Sequence, residues 1–314
     1  MPAAGSNSNG GIVHGESVMN DFSSLKEAVR YACGENVSIT GRTPVSGGDI
    51  NRAYALELSD GSRLFMKANR RENKDFFRAE AEGLSAIRQT GTVRTPEVLA
   101  LGTDGSDSYL LMEYISAGRC GRKSSEELGT ELARMHSADT SGFVHGGKFG
   151  FAGDNYIGAG FQINTPEETW TDFFIKRRLM PQFERAARYF DSEERKKFGS
   201  LLEHLDRYLT EPDRPSLIHG DLWGGNYMVD RDGHPWLIDP AAYVGHAEAD
   251  LAMTELFGGF DRTFYDAYSS TAGIDPDYRD RKDLYNLYHL LNHLNLFGGG
   301  YMYSVKSIVQ RYTV

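Results

Sequence analysis

Cysteine is scarce in this sequence. Only Cys33 and Cys120 occur among 314 residues, which excludes a disulfide framework and makes a reducing compartment the simpler expectation. Long apolar runs are missing as well. No stretch approaches the roughly 18 apolar residues that cross a bilayer, and no basic segment followed by an apolar core opens the chain. The expectation is a soluble cytoplasmic protein without a membrane partner. Positive charge is in deficit, with 34 Lys and Arg against 44 Asp and Glu and a formal charge of -10, which argues against nucleic acid and favours a small or cationic substrate. No His/Cys group has zinc-like spacing, and no internal repeat occurs. What remains, 40% hydrophobic and 25% charged residues, is ordinary globular composition at a length that suggests two lobes.

Residues 1–19 are small and polar and are expected to be disordered, and Met19 is a possible alternative start. A helix over Phe22 to Cys33 is followed by strand-like segments at Val37 to Val45, Ala53 to Leu58 and Arg63 to Ala68, with Asp60-Gly61 turning the last two into a hairpin. Between the first two strands lies Ser46-Gly47-Gly48-Asp49-Ile50-Asn51. Gly47 and Gly48 would let backbone N–H groups approach phosphates, although a Gly-Gly turn needs no ligand. The run Tyr109 to Ile115 reads as a buried strand, and Ser116-Ala117-Gly118 breaks it as an interlobe connector. Beyond it the pattern turns helical. Ser124-Ser125-Glu126-Glu127 looks like a capping box, and helices are expected near Trp170 to Arg188, Ser192 to Leu209, Ala247 to Leu256 and Lys282 to Phe297. The predicted fold is α+β and bilobal. It has a small antiparallel-sheet lobe with one long helix over residues 20–117 and a mainly helical lobe over 118–314, with the chemistry on loops between them.

The chemistry concentrates in His219-Gly220-Asp221-Leu222-Trp223-Gly224-Gly225-Asn226 and, thirteen residues after Asn226, Asp239 of Ile238-Asp239-Pro240. Transfer of a phosphoryl group needs a carboxylate beside the acceptor hydroxyl and oxygen ligands that hold Mg²⁺ against the phosphates. Asp221 fits the first role. Asn226 and Asp239 fit the second if Tyr227-Met228-Val229 and Trp236-Leu237-Ile238 fold back as a hairpin through Asp230-Arg231-Asp232-Gly233. Lys67 shares a strand face with Phe65. On the helix from Asp75 to Gln89, Glu80 falls inside the stripe of Phe76, Phe77, Leu84 and Ile87, where a carboxylate needs a cationic partner, whereas Glu82 is expected to be solvated. Lys67 and Glu80 together reproduce the ion pair that positions ATP in protein kinases.

These motifs, with Gly245-His246-Ala247-Glu248-Ala249-Asp250-Leu251-Ala252-Met253, Leu256-Phe257-Gly258-Gly259-Phe260 and Leu291-Asn292-His293, resemble the fructosamine kinase (ketosamine-3-kinase) family within the aminoglycoside-phosphotransferase and protein-kinase-like fold. Trp223 after Asp-Leu, with the Gly-Gly-Phe segment, narrows the resemblance to that family. It implies ATP-dependent phosphorylation of the C3 hydroxyl of a ketosamine, after which the adduct decomposes and frees the amine. Asp221 would be the base, Asn226 and Asp239 the Mg²⁺ ligands, and Lys67 the phosphate contact oriented by Glu80. Gly47 and Gly48 would cover the phosphates, and the Glu113 carbonyl and Ile115 amide would hold adenine. Trp223 and His293 would face the sugar. His219 and Asp250 are read as fixing the catalytic loop, and His136, His204 and His289 as packed or surface residues. Asp49 stands where relatives can carry a cysteine, so a redox-switched dimer through that loop is not expected. The oligomeric state and the identity of the ketosamine stay open. A kinase of another hydroxylated substrate (aminoglycoside, choline or thiosugar) and a nucleotide-binding regulatory module are the rival readings.

Overall fold

The computed structural model describes residues 20–45 and 51–313. The expected amino-terminal tail and the loop glycines Gly47 and Gly48 lie outside the described residues.

The first lobe is a six-stranded sheet in the order β1-β5-β6-β4-β3-β2, with β1 Asp21–Phe22, β2 Ile39–Val45, β3 Arg52–Leu58, β4 Arg63–Arg70, β5 Val98–Asp104 and β6 Asp107–Glu113. All neighbours are antiparallel except β1, which runs parallel to β5. Period-two alternation sorts the strand residues onto two faces. Leu56, Leu58, Leu64, Met66, Ala68, Ala100, Tyr109 and Leu111 pack with Ala28 and Val29 of α1 (Leu25–Cys33). Leu101, Leu110 and Met112, with Phe65, pack with Phe77, Ala81 and Leu84 of α2 (Lys74–Gln89). The sheet is thus covered on both sides, and Lys67, on the Phe65 face, is buried beneath α2. The first helix begins three residues later than expected because Asp21 and Phe22 pair with β5 instead.

The second lobe is mainly helical: α3 Arg122–His136, α4 Trp170–Phe173, α5 Met180–Ala186, α6 Ser192–Glu203, α7 Ala247–Leu256, α8 Arg262–Ala272, α9 Tyr278–Phe297 and α10 Met302–Arg311. Its core is aromatic, with Trp170, Phe173, Phe174, Tyr243 and Tyr285 all at or below 1% exposure. The expected capping box at Ser124 is displaced. Helix α3 already starts at Arg122, and the Ser124 hydroxyl accepts from the Gly121 amide at 2.9 Å, so Ser124 caps from inside the first turn. The expected helix Trp170 to Arg188 carries a π-helical segment, Phe174–Leu179, between α4 and α5. Two-stranded pieces complete the lobe: β7 Asn155–Ile157 with β8 Gly160–Gln162, β9 Ser216–Ile218 with β12 Tyr243–Gly245, and β10 Tyr227–Val229 with β11 Pro235–Leu237. The last is the expected hairpin.

Several contacts join the lobes, among them three along α2 and in the segment between it and β5. The Phe76 ring of α2 stacks on Tyr156 of β7 at 3.9 Å. Gly83 of α2 lies so near Pro240 that a Cβ there would sit 3.1 Å from its ring. Arg94 bridges Trp236, and its carbonyl accepts the Leu237 amide at 2.9 Å. No described helix is long and apolar enough to cross a membrane.

Candidate active site

Strand β9 delivers His219-Gly220-Asp221 into the cleft, and a buried carboxylate fixes the turn. Asp250, 1% exposed in α7, accepts the His219 amide at 2.7 Å, the Gly220 amide at 2.9 Å and the His136 ring at 3.1 Å. Burial opposes its charge, but the His136 hydrogen bond and these amides hold its carboxyl below the usual range. Gly220 has φ +79, and a Cβ there would lie 2.2 Å from the Ala241 carbonyl oxygen, so only glycine fits. His219 donates from Nε2 to the Ile238 carbonyl (2.9 Å) and accepts the Asp221 amide at Nδ1 (3.3 Å). Burial lowers its pKa, so it is a neutral strut.

Asp221 emerges from this turn beside Asn226, whose amide nitrogen donates to the Asp221 carboxylate at 3.0 Å and to its carbonyl at 2.8 Å. Both donations come from nitrogen, so among the described residues Asn226 Oδ1 and one Asp221 oxygen have no hydrogen-bond donor. Desolvation pushes the Asp221 carboxyl up to about 7, against the Asn226 hydrogen bond and helped by Asp239 and Asp250. Asp239 follows the hairpin, whose closing bond runs from the Ile238 amide to the Asn226 carbonyl at 3.0 Å. Among described non-glycine residues only Asp239 has positive φ, +57. That turn aims its carboxylate at Lys67, which it meets directly, while Lys67 Nζ also donates to Glu80 at 2.6 Å. Burial works against the Lys67 charge, but the Asp239 and Glu80 carboxylates raise its pKa and keep it an ammonium. Burial, helped by Asp239 and opposed by Lys67, pushes Glu80 up to about 7. The structure therefore gathers Lys67, Glu80, Asp239, Asn226 and Asp221 into one connected polar group. Glu82, expected to be solvated, is half-buried near Gly153, and its pKa is raised by burial.

Two protein oxygens, Asn226 Oδ1 and an Asp239 carboxylate, are a donor set suited to Mg²⁺, which fills its octahedron with waters and substrate phosphates. No group of three or more His, Cys, Asp or Glu side chains is placed to hold a metal among the described residues. At the connector, Glu113 ends β6 opposite Leu64, and Ile115 follows outside the ladder. Gly118 is pressed on the catalytic hairpin, its amide donating to the Val229 carbonyl at 2.7 Å.

On the acceptor side, the Trp223 ring is 41% exposed and lies across Gly225, where a Cβ would be 2.3 Å from the indole. The Gly224 amide donates to the Gly258 carbonyl at 3.2 Å, and Phe257 before it packs on the His293 ring at 4.6 Å. Trp223 and His293 are thereby tied to one wall. His293 Nδ1 donates to the His289 carbonyl at 2.8 Å, and burial lowers its pKa, so Nε2 is a neutral acceptor.

Sequence reasoning missed the support beneath. Gln162 donates to Asn155 and to the Ala241 carbonyl and accepts from Tyr288, and Asn155 donates to the Ala242 carbonyl at 2.8 Å. These bonds pin the segment after Asp239. Arg178, fully buried, donates to the Ile163 carbonyl and Asn164 and lies 3.8 Å over Tyr243. A lone arginine among aromatics had no periodic signal to betray it.

The fructosamine kinase family model matches residues 22–314 of this chain. The chain is 40% identical to the chloroplastic protein-ribulosamine 3-kinase of Arabidopsis thaliana over 284 residues, which cover 89% of this chain and 84% of that protein. The corresponding protein of Oryza sativa subsp. indica is also 40% identical, over 89% of this chain and 80% of its own. A crystal structure from Thermobifida fusca, described as a "putative fructosamine-3-kinase", is 30% identical with a TM-score of 0.79, over 93% of this chain and 99% of that one. The aminoglycoside phosphotransferase that binds ADP and hygromycin B shares the fold, with a TM-score of 0.59 at 16% identity over 92% of this chain and 97% of that one.

Proposed function

We propose, because this chain belongs to the fructosamine kinase family, that it transfers the γ-phosphoryl group of ATP to the C3 hydroxyl of ketosamines carried on lysine or small amines. The phosphorylated adduct then decomposes and releases the amine, which is deglycation. The observation that carries the reading is the connected group Lys67, Glu80, Asp239, Asn226 and Asp221 at the interlobe cleft, beside the wall of Trp223 and His293.

The residues take the following roles in this reading. Asp221, with one oxygen held by Asn226, presents the other to the sugar hydroxyl and takes its proton. A carboxyl near 7 is matched to that transfer at neutral pH, and such assistance is typically worth about 10²- to 10⁴-fold. Asn226 Oδ1 and Asp239 would hold Mg²⁺, which would neutralise the phosphate charge. Lys67, oriented by Glu80, exchanges its bond to Asp239 for the ATP phosphates. The Glu113 carbonyl and Ile115 amide receive adenine, and Gly47 and Gly48, outside the described residues, cover the phosphates. The Trp223 face packs on sugar C–H groups while His293 Nε2 accepts a hydroxyl. Residues 20–117 form the nucleotide-binding lobe in this reading, and 118–314 carry the catalytic loop and acceptor wall.

The test is ATP- and Mg²⁺-dependent ADP release with a fructosyl-amine acceptor beside aminoglycoside and choline controls, repeated with Asp239→Ala. Turnover confined to the ketosamine and lost in the variant is expected. Turnover of a control alone, or full activity of a folded Asp239→Ala protein, overturns the assignment.

A further inference from the structure

A cavity that the reaction above does not use lies against α9, the helix that carries His293. It encloses about 390 Å³ and is lined by the hairpin residues Gly160 and Phe161, by Gln182, Arg185 and Arg188 of α5 and the turn after it, and by Asn292 of α9, among others. Asn292 immediately precedes His293 on α9, so the cavity and the ring assigned to the sugar hydroxyls sit on neighbouring faces of one helix, about 100° apart around its axis. On the other side Phe161 precedes Gln162, which grips the Ala241 carbonyl behind Asp239. Gly160 opens the space for Asn292, since a Cβ there would stand 2.6 Å from its amide oxygen.

The polar floor is self-contained. Gln182 donates to Asn292 at 3.1 Å and accepts from Asn295 at 2.8 Å, which leaves the buried amides engaged with one another. The rim is different. No carboxylate lines the cavity, yet two guanidiniums three residues apart do, in a chain whose formal charge is -10. Arg188 lies over its neighbour Tyr189 and donates to the Tyr189 hydroxyl at 3.1 Å. Arg185 is exposed and makes no ion pair with any described residue, so its fork is available to a carboxylate.

We propose that this cavity is the carrier subsite, in which Arg185, assisted by Arg188, receives a carboxylate borne by the amine part of the ketosamine. The inference rests on the reaction proposed above and adds a substrate class to it: adducts of amino acids with a free carboxylate, or of lysines beside acidic residues, are preferred over adducts of neutral amines. Arg185 is then a specificity-determining residue and touches none of the reacting atoms.

The experiment compares kcat/KM for Nα-acetyl-Nε-fructosyl-lysine, its carboxamide and a neutral fructosyl-alkylamine, in the wild-type protein and in Arg185→Gln and Arg188→Gln. A preference of about 3- to 10-fold for the carboxylate over the carboxamide is expected, weakening with added salt. In Arg185→Gln the ratio should fall to near unity, while turnover of the neutral amine and the unfolding temperature stay as in wild type. A glycated peptide pair with Asp or Asn beside the modified lysine separates the sources, and preference in either pair supports the subsite. Equal rates within both pairs in wild type, or a preference that survives in Arg185→Gln, overturns it while the reaction stands. No turnover of any ketosamine, the neutral one included, overturns the reaction and the subsite together.

Discussion

Replacing the proposed base should make the protein more stable while it destroys the activity. Desolvation pushes the Asp221 carboxyl from 3.8 up to about 7. The folded state therefore binds this proton more tightly than the unfolded chain does, and ionisation costs the folded state free energy. The stability contributed by the protonated group is fully present below about pH 4 and is lost as pH rises through about 7. The rise from 3.8 to about 7 corresponds to about 4 kcal/mol for a fully enclosed group, and the partial opening of this side chain to water lowers the expected effect to about 2–3 kcal/mol. Asp221→Asn carries no such penalty and keeps an oxygen for the Asn226 amide. Unfolding by urea between pH 5 and pH 8.5 should show a gap in favour of the variant that widens up to about pH 7 and is constant above it. At pH 8 the unfolding temperature should be about 3–5 °C higher, and phosphoryl transfer about 10²- to 10⁴-fold slower. A gap that does not change with pH, or a variant less stable than wild type at pH 8, refutes the reasoning.

The catalytic turn supplies the other predictions. Asp250→Ala leaves two buried backbone amides and the His136 ring without their acceptor, and at about 1–3 kcal/mol for each buried unpaired group it should lose about 3–9 kcal/mol by urea unfolding, with kcat falling sharply. Gly220→Ala forces a Cβ onto the Ala241 carbonyl at positive φ, so circular dichroism melts should show a loss of about 1–3 kcal/mol and kcat should fall at least as far as a displaced loop implies, about 10²-fold. Glu80→Gln should raise KM for ATP more than it lowers ATP-independent stability, because Lys67 keeps Asp239 but loses its orienting partner. For the wild-type protein, kcat/KM should climb with pH through about 7 as Asp221 ionises, and a profile flat from pH 5.5 to 8 sinks its role as base.

The elements that were legible before the structure were those whose residues carry a local reason for their geometry. The β10–β11 hairpin was announced by Asp230-Arg231-Asp232-Gly233, and the Lys67–Glu80 pair by a carboxylate lodged in an apolar helical stripe. Strand β5, the β7–β8 hairpin, α8 and α10 were not anticipated, since segments of three to eleven residues of mixed polarity carry little periodicity and are shaped by what they pack on. The capping box misled because Ser124 fits either the first residue of a helix or its third, and only the backbone of Gly121 decides. Arg178, Gln162 and Asn155 could not be found from spacing, because their partners lie in distant segments and their role is to hold a backbone that contains no side-chain signal of its own.

The seating of α2 has a consequence for control. A helix that carries the glutamate of a Lys–Glu pair becomes a switch when it can swing outward and break that pair. Here Phe76 is stacked on the opposite lobe one turn before Glu80, and Gly83, three residues after it, rests against Pro240. To withdraw Glu80 the protein would have to unstack an aromatic pair and open a close-packed joint at once. The joint that seats α2 therefore also holds the Lys67–Glu80 pair closed, so loosening either Phe76 or Gly83 should cost the pair as well as the packing.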